Sequence, residues 1–88
     1  MPTGSKEEPS EFNNALMGVI RAKMGKKQIN IADLSRLTGI PRSTLSRIIN
    51  SKRQPELEQV RKIAIALETP MAALFTQADE ELAGKETI

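Results

Sequence analysis

The sequence predicts an all-α domain, compact and built from five short helices. Apolar residues recur at steps of three and four across residues 12–24 and again across 57–67. No stretch alternates apolar with polar in the way a half-buried strand does. Capping residues, glycines and prolines stand between the periodic stretches, where helices start and stop. Eighty-eight residues make a single domain near the small end for a chain with no cysteine to staple it. Its apolar side chains are small, with two phenylalanines and no tryptophan or tyrosine, which predicts modest stability.

Residues 1–10 carry proline, glycine, serine and charge, and predict a disordered N-terminal arm. Ser10 caps a first helix from Glu11 to about Met24, with Phe12, Leu16, Val19, Ile20 and Met24 as its buried stripe. "GKKQ" ends it. Asn30 caps a short second helix, Asp33 completes a capping box, and Leu34 and Leu37 face inward. Gly39 is the left-handed stop, and Ile40 plugs the core. Pro41 sits at or just before the first turn of a third helix, where a missing N–H costs little, and that helix runs to about Asn50. "SKRQP" is a loop, and Pro55 blocks an earlier start to the fourth helix. Leu57, Val60, Ile63, Ala64 and Leu67 form the buried face of that helix. "PMAALF" opens a short fifth helix that closes the core with Leu74 and Phe75. The folded domain is therefore expected over residues 11–76, with 77–88 as an acidic, weakly patterned C-terminal tail.

The third helix has two faces. At about 100° per residue, Arg42, Ser46, Asn50, Ser43 and Arg47 fall within an arc of about 140°. Leu45, Ile48 and Ile49 lie on the other side, with Thr44 at the shoulder. One face anchors the helix, and the other presents hydroxyls and forked cations.

Charge says what kind of partner that face meets. The net charge of +2 conceals eleven basic residues against three acids between Arg21 and Lys62, and two lysines against eight acids in the flanks. A basic centre between acidic ends suits a polyanion. With neither cysteine nor histidine, thiol nucleophiles, histidine triads and nearly every transition-metal site are excluded, and no metal or cofactor is expected. No apolar run reaches membrane-spanning length and the start is polar and acidic, so no membrane contact and a cytoplasmic location are expected.

Helix, glycine-containing turn and helix across residues 30–50 have the shape of a helix-turn-helix. Such a motif needs a second helix that is polar outside, so that residues in its first turns reach base edges in the major groove of double-stranded DNA. Arg42, Ser43 and Arg47 hold those positions. Arginine pairs with both guanine acceptors, serine contacts several bases, and the Thr44 methyl can meet thymine. Lys52 and Arg53 follow where a phosphate backbone would pass.

Residues 12–76 resemble the Cro/C1-type helix-turn-helix domain of phage repressors and bacterial regulators. The motifs that carry the resemblance are "LTGI", "RSTLSRI", "SKRQP" and "IAIAL". It implies a lambda-repressor-like fold, with base-reading positions on Arg42, Ser43 and Arg47 and with Thr44 and Ser46 beside them. The family's phosphate-contacting positions fall on Asn50, Lys52 and Ile31. Ile31 departs from the family, where glutamine often bonds a phosphate. Ser51 stands where glycine is common, and Ile49 replaces a frequent acid, removing an ion pair. Arg53 and Asn30 join the candidate phosphate contacts, although Asn30 also reads as a plain cap. Lys26 and Lys27 read equally as a flexible turn or as a second phosphate clamp. Arg36, Arg61 and Lys62 read as solvated surface.

The leading expectation is a sequence-specific DNA-binding regulator, a phage or bacterial repressor acting by promoter occlusion as a weak homodimer. The alternative is an antitoxin or anti-repressor that grips a protein partner through the acidic tail and exposed Ile65 and Met71. Single-stranded RNA binding lacks aromatic platforms. Catalysis lacks a nucleophile–base pair.

Overall fold

Local sequence starts and stops each helix. A computed structural model describes residues 9–86 of the chain, with side chains as far as Gly84. Its helices are α1 (Glu11–Lys27), α2 (Ile31–Thr38), α3 (Arg42–Ile49), α4 (Leu57–Ala66) and α5 (Met71–Glu86). No strand occurs among the described residues. Most of the expected N-terminal arm, residues 1–8, lies outside them.

Ser10 caps α1 as its residue type predicts: the Asn13 N–H donates to the Ser10 Oγ at 3.0 Å. Asn30 and Asp33 form a reciprocal capping box on α2, with Asp33 N–H to Asn30 Oδ1 at 2.7 Å and Asn30 N–H to Asp33 Oδ2 at 3.2 Å. The Asn30 N–H, and next the Arg36 guanidinium, hold the Asp33 carboxyl below its ordinary pKa. A depressed carboxylate contributes stability at pH values above its unfolded value and loses it as pH falls through the native one. An NMR titration should therefore show the Asn30 and Asp33 amides shifting together at a pH below the ordinary aspartate midpoint.

Met17, Ile20, Leu34, Leu45, Ile48, Ile63, Leu67 and Leu74 are fully enclosed, so all five helices contribute to one core. α1 packs against α5 and α3, α2 against α3 and α4, and α4 against α5. Phe12 and Phe75 meet edge to face at 5.7 Å near the starts of α1 and α5.

Four expectations need correction. α1 runs one turn beyond Met24, because Gln28 takes the left-handed position at φ 59° and the Ile29 N–H closes onto the Met24 carbonyl at 2.9 Å. Leu37 is 56% exposed, because α2 packs through Ile31, Leu34, Ser35 and Thr38, and residue 37 lies about 100° from the centre of that face. Leu57 is 65% exposed, since it is the first residue of α4 and lies at the shoulder of the buried face. α5 does not stop near Thr76. It continues to Glu86, burying Ala78, because no proline or glycine interrupts residues 71–83. The acids at 79–81 thus stand on a helix.

Three helix ends are turned by non-glycine residues in the left-handed region: Gln28, Ser51 (φ 60°) and Glu68 (φ 54°). Gly39, at φ 80°, turns the end of α2. At Ser51 the following Lys52 N–H donates to the Arg47 carbonyl at 2.8 Å, the long bond of a Schellman turn. A side chain there costs about 1 kcal/mol that glycine does not. Ser51→Gly should raise stability by roughly 0.5–1 kcal/mol in a urea melt.

Candidate nucleic-acid interface

Hydroxyls fix the turn that sets α3 against α2. The Thr38 hydroxyl donates to the Leu34 carbonyl at 2.7 Å and accepts the Ile40 N–H at 3.2 Å. The Ser35 hydroxyl donates to the Ile40 carbonyl at 2.6 Å. Ile40 is held buried between them and Pro41 follows, so α3 begins at Arg42 in one orientation. Leu45 and Ile48 are wholly buried beneath it.

The opposite face is open. Arg42, Ser43 and Arg47 are exposed, while Thr44 and Ser46 are half-buried beside them. Asn50, exposed at the end of α3, turns its Nδ2 back onto the Ser46 carbonyl at 2.9 Å. Lys52 and Arg53 are exposed in the loop that follows. No acid occurs from Arg42 to Pro55. The ion pairs among the described residues are Lys27–Glu68 at 3.9 Å and Asp33–Arg36 at 3.2 Å. Four cations on α3 and its loop therefore form no ion pair with an acid among the described residues. Such an arrangement suits a polyanion in charge, with arginines as forked donors and lysine as a point charge.

The remaining candidates are placed differently. Asn30 is exposed, but its carbonyl oxygen is engaged as the cap of α2. Lys27 leans on Glu68, and Lys26 lines a groove between α1 and α5. Ile31, where a glutamine is common in the resembling family, packs against the core.

One positioning residue escapes sequence reading. Arg21 of α1 donates through Nη1 to the Ile49 carbonyl at 2.5 Å. Position 49 is where the resembling family often has an acid. Here Ile49 is buried instead, and the guanidinium bonds its backbone, compensating the negative end of the α3 dipole. Arg21→Met should cost about 1–2 kcal/mol and speed hydrogen exchange at the Asn50 and Ser51 amides. Unchanged exchange there would show that Arg21 does not hold the end of α3.

No group of residues suited to a metal ion occurs among the described residues. None of the described helices is long and apolar enough to cross a membrane. A sequence model of the helix-turn-helix family matches residues 20–74, from the middle of α1 to the first turn of α5. No curated protein and no solved structure matches the chain.

Proposed function

The chain belongs to the Cro/C1-type helix-turn-helix family, and on that basis we propose that it is a sequence-specific regulator binding double-stranded DNA. The observation that carries the proposal is α3 itself. One face is locked into the core by Leu45 and Ile48, and the other exposes Arg42, Ser43 and Arg47 in a stretch, residues 42–55, that contains no acid. In this reading α3 lies in the major groove, Arg42 and Arg47 pair with guanines, and Ser43, Thr44 and Ser46 contact neighbouring bases. Lys52, Arg53 and Asn50 hold phosphates beyond α3, and Asn30 and Lys27 do so beside α2. The protein acts in the cytoplasm of a bacterium or on a phage promoter there, as a repressor whose occupancy excludes polymerase.

One eight-residue helix spans few base pairs, so selection of one operator requires a weak homodimer on half-sites about 34 Å apart. Ile65, 61% exposed on α4, is an apolar anchor available to it. Met71 packs against the core, and Glu81 lines the α1–α5 groove.

Titration of labelled duplex, single-stranded DNA and duplex RNA at several salt concentrations tests the nucleic-acid class. The proposal requires preference for duplex DNA and a linear loss of log affinity with log salt, reflecting about six to ten phosphate contacts. Equal affinity for single strands, or affinity insensitive to salt, would defeat it and favour the protein-binding alternative.

A further inference from the structure

An open groove of about 580 Å³ runs between α1 and α5, within the size range of small-molecule sites. Lys23 and Lys26 line it from α1, and Gln77, Glu80 and Glu81 line it from α5. Val19, which is buried, gives it an apolar floor, and Lys23 is half-buried beside it. Neither lysine pairs with either glutamate: the ion pairs among the described residues are Lys27–Glu68 and Asp33–Arg36. The two charged walls therefore stand farther apart than an ion pair, and a bridging molecule fits between them.

Gly18 also lines the groove, in the middle of α1. Its φ is not positive, unlike that of Gly39. A Cβ there would approach only the Arg21 guanidinium, at 3.9 Å, an ordinary contact. Glycine is less favourable than alanine inside a helix, and neither conformation nor packing among the described residues calls for it here. Its effect is to keep the wall of the groove low. Eight residues line the groove, against roughly twenty to thirty a side in a stable protein interface. It is sized for a small molecule.

We propose that this groove binds a small zwitterion, an amino acid or short peptide with free termini. Its carboxylate meets Lys23 and Lys26, and its ammonium meets Glu80 and Glu81, through charge-assisted hydrogen bonds. Gln77 offers both a donor and an acceptor to a peptide group between them. A lone anion would face two carboxylates, and a lone cation two ammonium groups. Only a molecule that carries both charges satisfies both walls. The inference does not rest on DNA binding. On α1 the lining residues centre about 130° around the helix from Arg21, the residue that bonds the end of α3. A bound zwitterion therefore leaves Arg42 and Arg47 uncovered.

NMR titration of the whole chain with trialanine tests this, beside the same peptide acetylated at its N-terminus or amidated at its C-terminus. Free trialanine should shift the Gly18, Lys23, Gln77 and Glu81 amides saturably in low salt. Each blocked form should bind about tenfold more weakly. Lys23→Gln with Lys26→Gln should erase the preference for a free carboxylate and keep that for a free ammonium. Glu80→Gln with Glu81→Gln should do the reverse. The absence of a saturable shift with free trialanine overturns the proposal. So does an order of the three peptides that neither pair of substitutions changes. Duplex binding by the parent is a separate readout, so failure here is distinct from failure of the function proposed above.

Discussion

Leu45→Ala should lower folding stability by about 2–5 kcal/mol. Leu45 is 0% exposed, and its N–H closes the first turn of α3 onto the Pro41 carbonyl at 2.9 Å. It joins Ile48 as the anchor that holds an eight-residue helix to the other elements. So short a helix has little stability of its own and depends on that anchor. Truncation leaves a cavity beneath α3 and removes much of what a domain with roughly 5–15 kcal/mol of total stability possesses. Loss of DNA binding would follow from unfolding and be recovered by stabilising additives. Leu37→Ala is the control: the same chemical change at an exposed position should stay within about 0.5 kcal/mol. Melts of Leu45→Ala and the parent that coincide would show that α3 is not anchored as described.

Arg47→Ala should leave the melt almost unchanged and weaken binding to the preferred site by about 1–3 kcal/mol, roughly 5- to 150-fold. The discrimination at one base position should be lost with it. Arg47 is exposed, makes no ion pair among the described residues, and sits opposite the buried face of α3. Removing its side chain therefore breaks no ion pair or side-chain hydrogen bond among the described residues. Lys52→Ala should instead weaken preferred and random duplexes alike and lower the salt slope by about one. The two substitutions separate reading from holding. If both reduced specific and random binding by one common factor, the roles assigned to α3 and its loop would be wrong.

The helix-turn-helix was the most legible part of the chain because its signals are local. Asn30 with Asp33, Gly39, and Pro41 act within a few residues of where they stand, and each does in the structure what its chemistry predicts. Leu37 misled because a short helix with few apolar residues leaves its packed face poorly defined. Ser35 and Thr38, both half-buried and hydrogen-bonded into the turn, took the place assigned to it. The sequence predicts too short an α5 because, among its described residues, only Leu74 and the small Ala78 are fully buried, a pattern too sparse to form a stripe. Ile49 is buried on the anchoring face as expected, and α1 covers it at the end of α3 although it lies only about 20° from Arg42 by helical angle. The Arg21–Ile49 bond joins residues 28 apart in sequence, and no local pattern encodes it. Asn13 is 2% exposed with its Nδ2 unpartnered, and nothing in its neighbours marks that position of α1 as facing the core.

In the proposed function the exposed face of α3 selects a particular duplex sequence. Selection of bound duplexes from a random library, followed by footprinting of the enriched sequence, tests it most directly. The account predicts one enriched motif with two inverted half-sites about one helical turn apart, protected by the parent. Its guanine preference should relax when Arg47 is replaced by alanine. Enrichment of no sequence, or of a motif that Arg42→Ala and Arg47→Ala leave unaltered, would contradict it.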